Sequence, residues 1–69
     1  MKVSARNALK GKVKAIEVGT VNTEVVLEIA EGVEITAIIT KTSAENLGLS
    51  VGKEAYAVVK ASDVIVAVD

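Results

Sequence analysis

The 69-residue chain contains no cysteine and no histidine. Without thiols no disulfide staples a small fold. Without thiolate or imidazole most zinc sites are excluded, as are Ser-His and Cys-His catalytic pairs. A cysteine-free chain is compatible with any redox compartment, and the expectation is a cytoplasmic protein. Tyr56 is the one aromatic residue, which leaves almost no platform on which nucleobases stack. The formal net charge is −1, so no global field draws the chain to nucleic acid or to an anionic membrane, and any anion site must be local. No stretch approaches the roughly 20 apolar residues of a membrane-spanning helix. Lys2, Arg6, Lys10, Lys12 and Lys14 interrupt the N-terminal region without an apolar run between them, which is not the pattern of a signal peptide.

What the chain has in quantity is aliphatic side chains, with hydrophobic residues at 51% and the bulk of them Val, Ile, Leu and Ala. That composition favours strands. A chain of this length is expected to form one domain, residues 1–69, whose core barely offsets chain entropy; with disulfides and metals removed, self-association is the remaining support.

In "KVKAIEV", Lys12 to Val18, the apolar parity changes between Val13 and Ile16, and a bulge near Ala15 reconciles the two phases. Gly19 and Thr20 to Thr23 read as a connection. "EVVLEIA" alternates Val25, Leu27 and Ile29 with Glu24 and Glu28, and Glu31-Gly32 signals a hairpin into "VEITAIIT", with Val33, Ile35, Ala37 and Ile39 on one face. In "TSAENLGL" the period breaks: Thr42 or Ser43 can cap a helix, Glu45 completes a capping box and Gly48 can end it, predicting one helical turn over about 43–47. "EAYAVVK" and "VIVAV" are two further strands. Five strands with a helical turn between the third and fourth predict an all-β fold, a small five-stranded OB-like barrel. Val26 and Ile38 lie on the polar parity of their strands, and the last strand is apolar on both, so one barrel interior cannot hold everything apolar; the surplus suits a subunit interface.

Two clusters of anion-friendly groups remain, "SAR" at Ser4, Ala5 and Arg6 and "KAS" at Lys60, Ala61 and Ser62, each beside a predicted strand. A tetrahedral oxyanion needs hydroxyls, free backbone N–H groups and cations. Arg donates to two oxygens at once, and Lys supplies a compact charge. Either triplet alone is also the pattern of an ordinary solvated turn.

Together with "GTVNTEVVLEI" and "ITAIITKTSAENLGL", the segments "SARNALKGKV" and "AVVKASDVIVAV" give a chain that, from Val3 to Val68, resembles the molbindins, the free-standing molybdenum-binding Mop proteins whose module also occurs as the TOBE domain. The resemblance implies an OB-like barrel assembled as a homohexamer, a trimer of dimers, holding molybdate or tungstate between subunits, with no organic cofactor. It implies that Ser4, Ala5, Arg6, Lys60, Ala61 and Ser62 bind the oxyanion, that Thr40 and Ser43 approach it from a neighbouring subunit, and that Thr20, Val21 and Asn22 contribute to a second class of site. No catalytic residue is expected, because no general base or nucleophile is poised by a neighbour. The competing readings are an OB-type nucleic-acid binder, which needs aromatics and a positive groove that the chain lacks, and an oligomerisation module that senses the anion.

Overall fold

The structure is a computed structural model describing Met1–Asp69. Four strands, β1 (Asn7–Val18), β2 (Asn22–Ala30), β3 (Val33–Thr40) and β4 (Glu54–Val59), form one antiparallel sheet in the order β3-β2-β1-β4, curled into a half-barrel. A short helix, α1 (Lys41–Asn46), joins β3 to β4, and a 3-10 turn, Ala61–Asp63, follows β4.

β1 serves two partners. Asn7 to Lys12 pair with β4, and Lys12 to Val18 pair with β2. The register shifts between Val13 and Ala15, the bulge the sequence predicts, and it keeps both Val13 and Ile16 on the concave face. There Val13, Val25, Leu27 and Ala57 form a buried core, against which Ile16, Ile29, Ile35, Ile39, Leu49 and Ala55 pack half-buried. Gly11 sits where β1 passes closest to β2: a Cβ there would lie 2.5 Å from the Glu28 carbonyl oxygen, so no larger residue fits without moving backbone.

Three expectations are corrected. β1 starts at Asn7 rather than Lys12, because "NALKG" finds β4 as a partner although its own alternation is weak. The helix is capped by Thr40, not by Thr42 or Ser43: Thr40 keeps the extended backbone of β3 (ψ 152°), and its hydroxyl accepts from the Ser43 N–H at 3.0 Å. Gly48 ends the turn as expected, with φ +62° and its N–H donating to the Glu45 carbonyl at 3.0 Å.

The third correction is the fifth strand. Val64–Val68 joins no sheet, and Ile65 and Val68 are each 93% exposed. A sequence pattern shows that a segment is able to be a strand. A strand also needs an edge, and within one chain this segment pairs with neither outer strand, β3 or β4. Of the second-face residues, Val26 is half-buried and Ile38 is 63% exposed on the convex side.

Candidate functional site: two ends of one sheet

Asn7 and Val59 are partners in the β1–β4 ladder. Ser4, Ala5 and Arg6 immediately precede the first of these residues, and Lys60, Ala61 and Ser62 immediately follow the second. Antiparallel pairing therefore brings the two triplets, remote in sequence, to the same end of the sheet. The second triplet is shaped by the 3-10 turn, in which the Asp63 N–H donates to the Lys60 carbonyl at 2.9 Å and the Val64 N–H to that of Ala61 at 3.4 Å. No side chain caps this turn, which leaves the N–H groups at its start for another acceptor.

Carboxylates engage two of the cations on β1 but not the two at this end of the sheet. Lys10 bridges Glu54 at 2.9 Å; Lys14 contacts Glu34 closely and Glu28 at 3.7 Å. The hydrogen bond to Glu54 raises the Lys10 pKa and lowers that of Glu54, and the hydrogen bond to Glu34 raises that of Lys14. Arg6 and Lys60 have no carboxylate partner. Two unneutralised cations flanking paired strand ends, with Ser4 and Ser62 beside them, are the components an oxyanion requires. Asp63 is the one acidic residue of the adjoining turn.

Thr40 and Ser43 are elsewhere. Thr40 pairs with Asn22, and Thr23 with Val18, so both hydroxyls lie at the opposite end of β1 from Asn7. The Thr40 hydroxyl donates to that of Ser43 at 2.8 Å. Thr20, Val21 and Asn22 are next to them, tied by the Lys41 N–H to the Val21 carbonyl and the Gly19 N–H to the Asn22 carbonyl, each at 2.8 Å. One subunit thus brings Ser4–Arg6 to Lys60–Ser62, and Thr40 and Ser43 to Thr20–Asn22, but does not bring the two groups together.

The sequence reading passed over Thr23, which it placed in a connection. It is a fully buried β2 residue whose hydroxyl lacks a hydrogen-bond partner, beside a cavity of about 130 Å³ lined also by Ile16, Lys41 and Leu49. Nothing in the local pattern distinguishes a buried threonine at a strand start from an exposed one. A larger cavity of about 310 Å³ carries Lys10, Lys12, Glu28, Glu31 and Glu54, a mixed-charge lining unlike an anion pocket. No group of three or more acidic side chains is placed to hold a bare metal ion, and no helix is long and apolar enough to cross a membrane.

The TOBE domain family matches residues 3–66. Molybdenum-pterin-binding protein 2 of Clostridium pasteurianum is 54% identical over 66 residues, 96% of this chain and 97% of that protein. Among solved structures, MopII from C. pasteurianum superposes with a TM-score of 0.90 at 52% identity, covering 97% of this chain and all of that one. A molybdate-binding protein from Sporomusa ovata does so with a TM-score of 0.90 at 40% identity, over 97% and 98% of the two chains. With near-complete coverage in both directions, the chain belongs to the TOBE domain family and to its small molybdenum-binding Mop branch.

Proposed function

We propose that this chain binds molybdate and tungstate as dianions, between subunits of a homohexamer built as a trimer of dimers, and serves cytoplasmic molybdenum storage and homeostasis. The whole chain, residues 1–69, acts as one Mop domain, an OB-like barrel of five strands once assembled. The observation that carries the reading is the placement of unpaired Arg6 and Lys60 on either side of the Asn7–Val59 pair. Ser4 and Ser62 supply hydroxyls; Ala5 and Ala61 supply backbone N–H groups without side chains that crowd the anion. Thr40 and Ser43 of a neighbouring subunit complete the shell, and Thr20, Val21 and Asn22 line a second class of site. The separation of the two groups within one subunit supports a site shared between subunits. The relatives named as molybdenum-pterin-binding and molybdate-binding support the choice of anion.

The cargo is the bare oxyanion. A pterin asks for an aromatic platform, and Tyr56, the one aromatic, lies in the middle of β4 rather than at its Val59 end. The function is binding without a reaction. Calorimetric titration with molybdate, tungstate, sulfate, phosphate and a short oligonucleotide tests it. Molybdate and tungstate are expected to bind within about tenfold of each other, roughly 1.4 kcal/mol, and the others far more weakly. Phosphate, partly protonated near neutrality, brings a donor to a site built of donors. Equal binding of sulfate or phosphate would remove the molybdate reading, and tight oligonucleotide binding would favour the nucleic-acid alternative.

A further inference from the structure

We infer that Lys53 is a positioning residue for the anion site: its ammonium clamps the last turn of α1 and through that turn orients the Ser43 hydroxyl toward the oxyanion. The inference rests on the proposal that Ser43 approaches the anion from a neighbouring subunit.

α1 needs support from outside itself. Its six residues are too few to hold a helix in water on their own. None of them is buried, and only Ala44 is half-buried. The first turn is fixed twice, by the Thr40 hydroxyl that accepts from the Ser43 N–H and by the Lys41 N–H that donates to the Val21 carbonyl. The last turn has no basic residue of its own. Lys53 reaches it from the far end of the loop before β4, its Nζ donating to the Leu47 carbonyl at 3.1 Å and to that of Gly48 at 3.0 Å. A cation there satisfies carbonyls that a helix end leaves unpaired and opposes the negative end of its dipole. Gly48 leaves room for it, since a Cβ on that residue would stand 3.4 Å from the Nζ.

The clamp is anchored in the core. The Lys53 carbonyl accepts from the Val13 N–H at 2.9 Å, and the Gly52 N–H donates to the Val13 carbonyl at 2.8 Å. The main chain of Lys53 is thus docked on the bulge of β1, at a residue only 1% exposed. From there hydrogen bonds run in one direction: Lys53 Nζ to the Leu47 carbonyl, Leu47 N–H to the Ser43 carbonyl at 2.9 Å, Ser43 N–H to the Thr40 hydroxyl, and the Thr40 hydroxyl to the Ser43 oxygen. Bonds aligned in this way strengthen one another. The last of them uses the Thr40 proton and leaves that of Ser43 as the free donor of the pair. Ser43 is therefore the hydroxyl that faces an acceptor, and Lys53, ten residues further along the chain, sets where it points.

Lys53→Met keeps the length of the stem and removes the donors, whereas Lys53→Arg keeps both charge and donors. Leu49, packed against the core, holds the loop in either chain. Hydrogen exchange of the Leu47 amide, measured without anion, is expected to speed up in Lys53→Met and to return toward the parent rate in Lys53→Arg. In calorimetric titration with molybdate, Lys53→Met is expected to weaken binding about three- to tenfold and to add nothing on a Ser43→Ala background, because residues in one hydrogen-bonded chain are coupled. Lys53→Arg is expected to restore the affinity. An equal loss with and without the Ser43 hydroxyl would place the effect in lost charge or lost stability and overturn the inference, as would an unchanged Leu47 exchange rate or an arginine that restores nothing. Full affinity in Ser43→Ala would take Ser43 out of the site and the inference with it. A loss in Ser43→Ala with none in Lys53→Met overturns the inference alone and leaves the anion reading standing.

Discussion

The two ends of the sheet are built from similar residues and arranged to opposite purposes. At the Asn7–Val59 end, Arg6 and Lys60 have no carboxylate partner and the 3-10 turn has no side-chain cap. At the other end Thr40 caps α1 and donates to Ser43, and the Val21 carbonyl accepts from the Lys41 N–H, while the buried Thr23 hydroxyl has no partner. One end carries cations without carboxylate partners, and at the other the Thr40 and Ser43 hydroxyls are hydrogen-bonded to each other. Polarity near a strand end therefore says little by itself. What marks a binding half-site is capacity left over after the fold has taken its share.

The largest expected effect falls on what both ends share. Leu27 lies in the buried core, and Leu27→Ala is expected to lower stability by about 2–5 kcal/mol in denaturant unfolding, with anion affinity falling at both classes of site. A loss confined to one site would show that the two ends are supported independently.

The next experiment sets the ends apart. Arg6→Ala or Lys60→Ala is expected to cost about 1.5–3 kcal/mol of binding, against about 0.5–1.5 kcal/mol for Ser4→Ala or Ser62→Ala, with little change in unfolding. Equal losses at all four positions in a calorimetric titration would mean that backbone donors and cavity shape outweigh the cations. At the far end, Thr40→Ala removes a helix cap and is expected to cost about 1 kcal/mol of stability, with a smaller loss of affinity. If affinity fell and the melting temperature did not, Thr40 would belong with the first end in function.

The smallest effect is that of pH. Glu54 has its pKa lowered by the Lys10 hydrogen bond, so its contribution to stability is complete above the ordinary carboxylate range and is lost as pH falls through the lowered value. Lys10 and Lys14 have theirs raised by Glu54 and Glu34, so their contributions are complete below the ordinary lysine value and are lost as pH rises through the raised ones. These exposed pairs are screened by water and salt. Thermal melts are expected to be flat between about pH 6 and 9, and anion affinity flat between about pH 6 and 8, since the chain has no histidine. A steep change there would reveal a titrating group at one end of the sheet.

Most of the half-barrel was legible because its signals are local. Alternation located β2, β3 and β4, the parity change placed the bulge between Val13 and Ala15, and Gly48 marked the helix end. Two of the misses are non-local. Asn7–Gly11 is a strand because β4 is beside it; Val64–Val68 is not one because it pairs with neither outer strand of the sheet. For the site, the two N- and C-terminal triplets meet only through a ladder pair between Asn7 and Val59, which no sequence spacing records. The resemblance named those residues, and the antiparallel register gives the physical reason they share one place. Its grouping of Thr40 with them needs a second subunit, whereas within one subunit Thr40 stands beside Thr20–Asn22.

The bulge in β1 makes the chain unequally tolerant of changes in length. Upstream of Val13 the strand is in phase with β4, downstream of Ala15 it is in phase with β2, and the added residue keeps both phases apolar on the concave side. Straightening the ladder without removing a residue would turn Ile16 outward and Glu17 inward, exchanging core for charge along half the strand, whereas deleting Lys14, the unpaired residue of the bulge, leaves Val13 and Ile16 two residues apart and both inward, opposite Leu27 and Val25. Inserting one residue at the Glu31–Gly32 hairpin, where the chain is exposed and a Cβ on Gly32 would meet nothing within 4 Å, asks no such exchange. A one-residue deletion in the first strand is therefore expected to be absorbed only at Lys14, and a one-residue insertion at that hairpin.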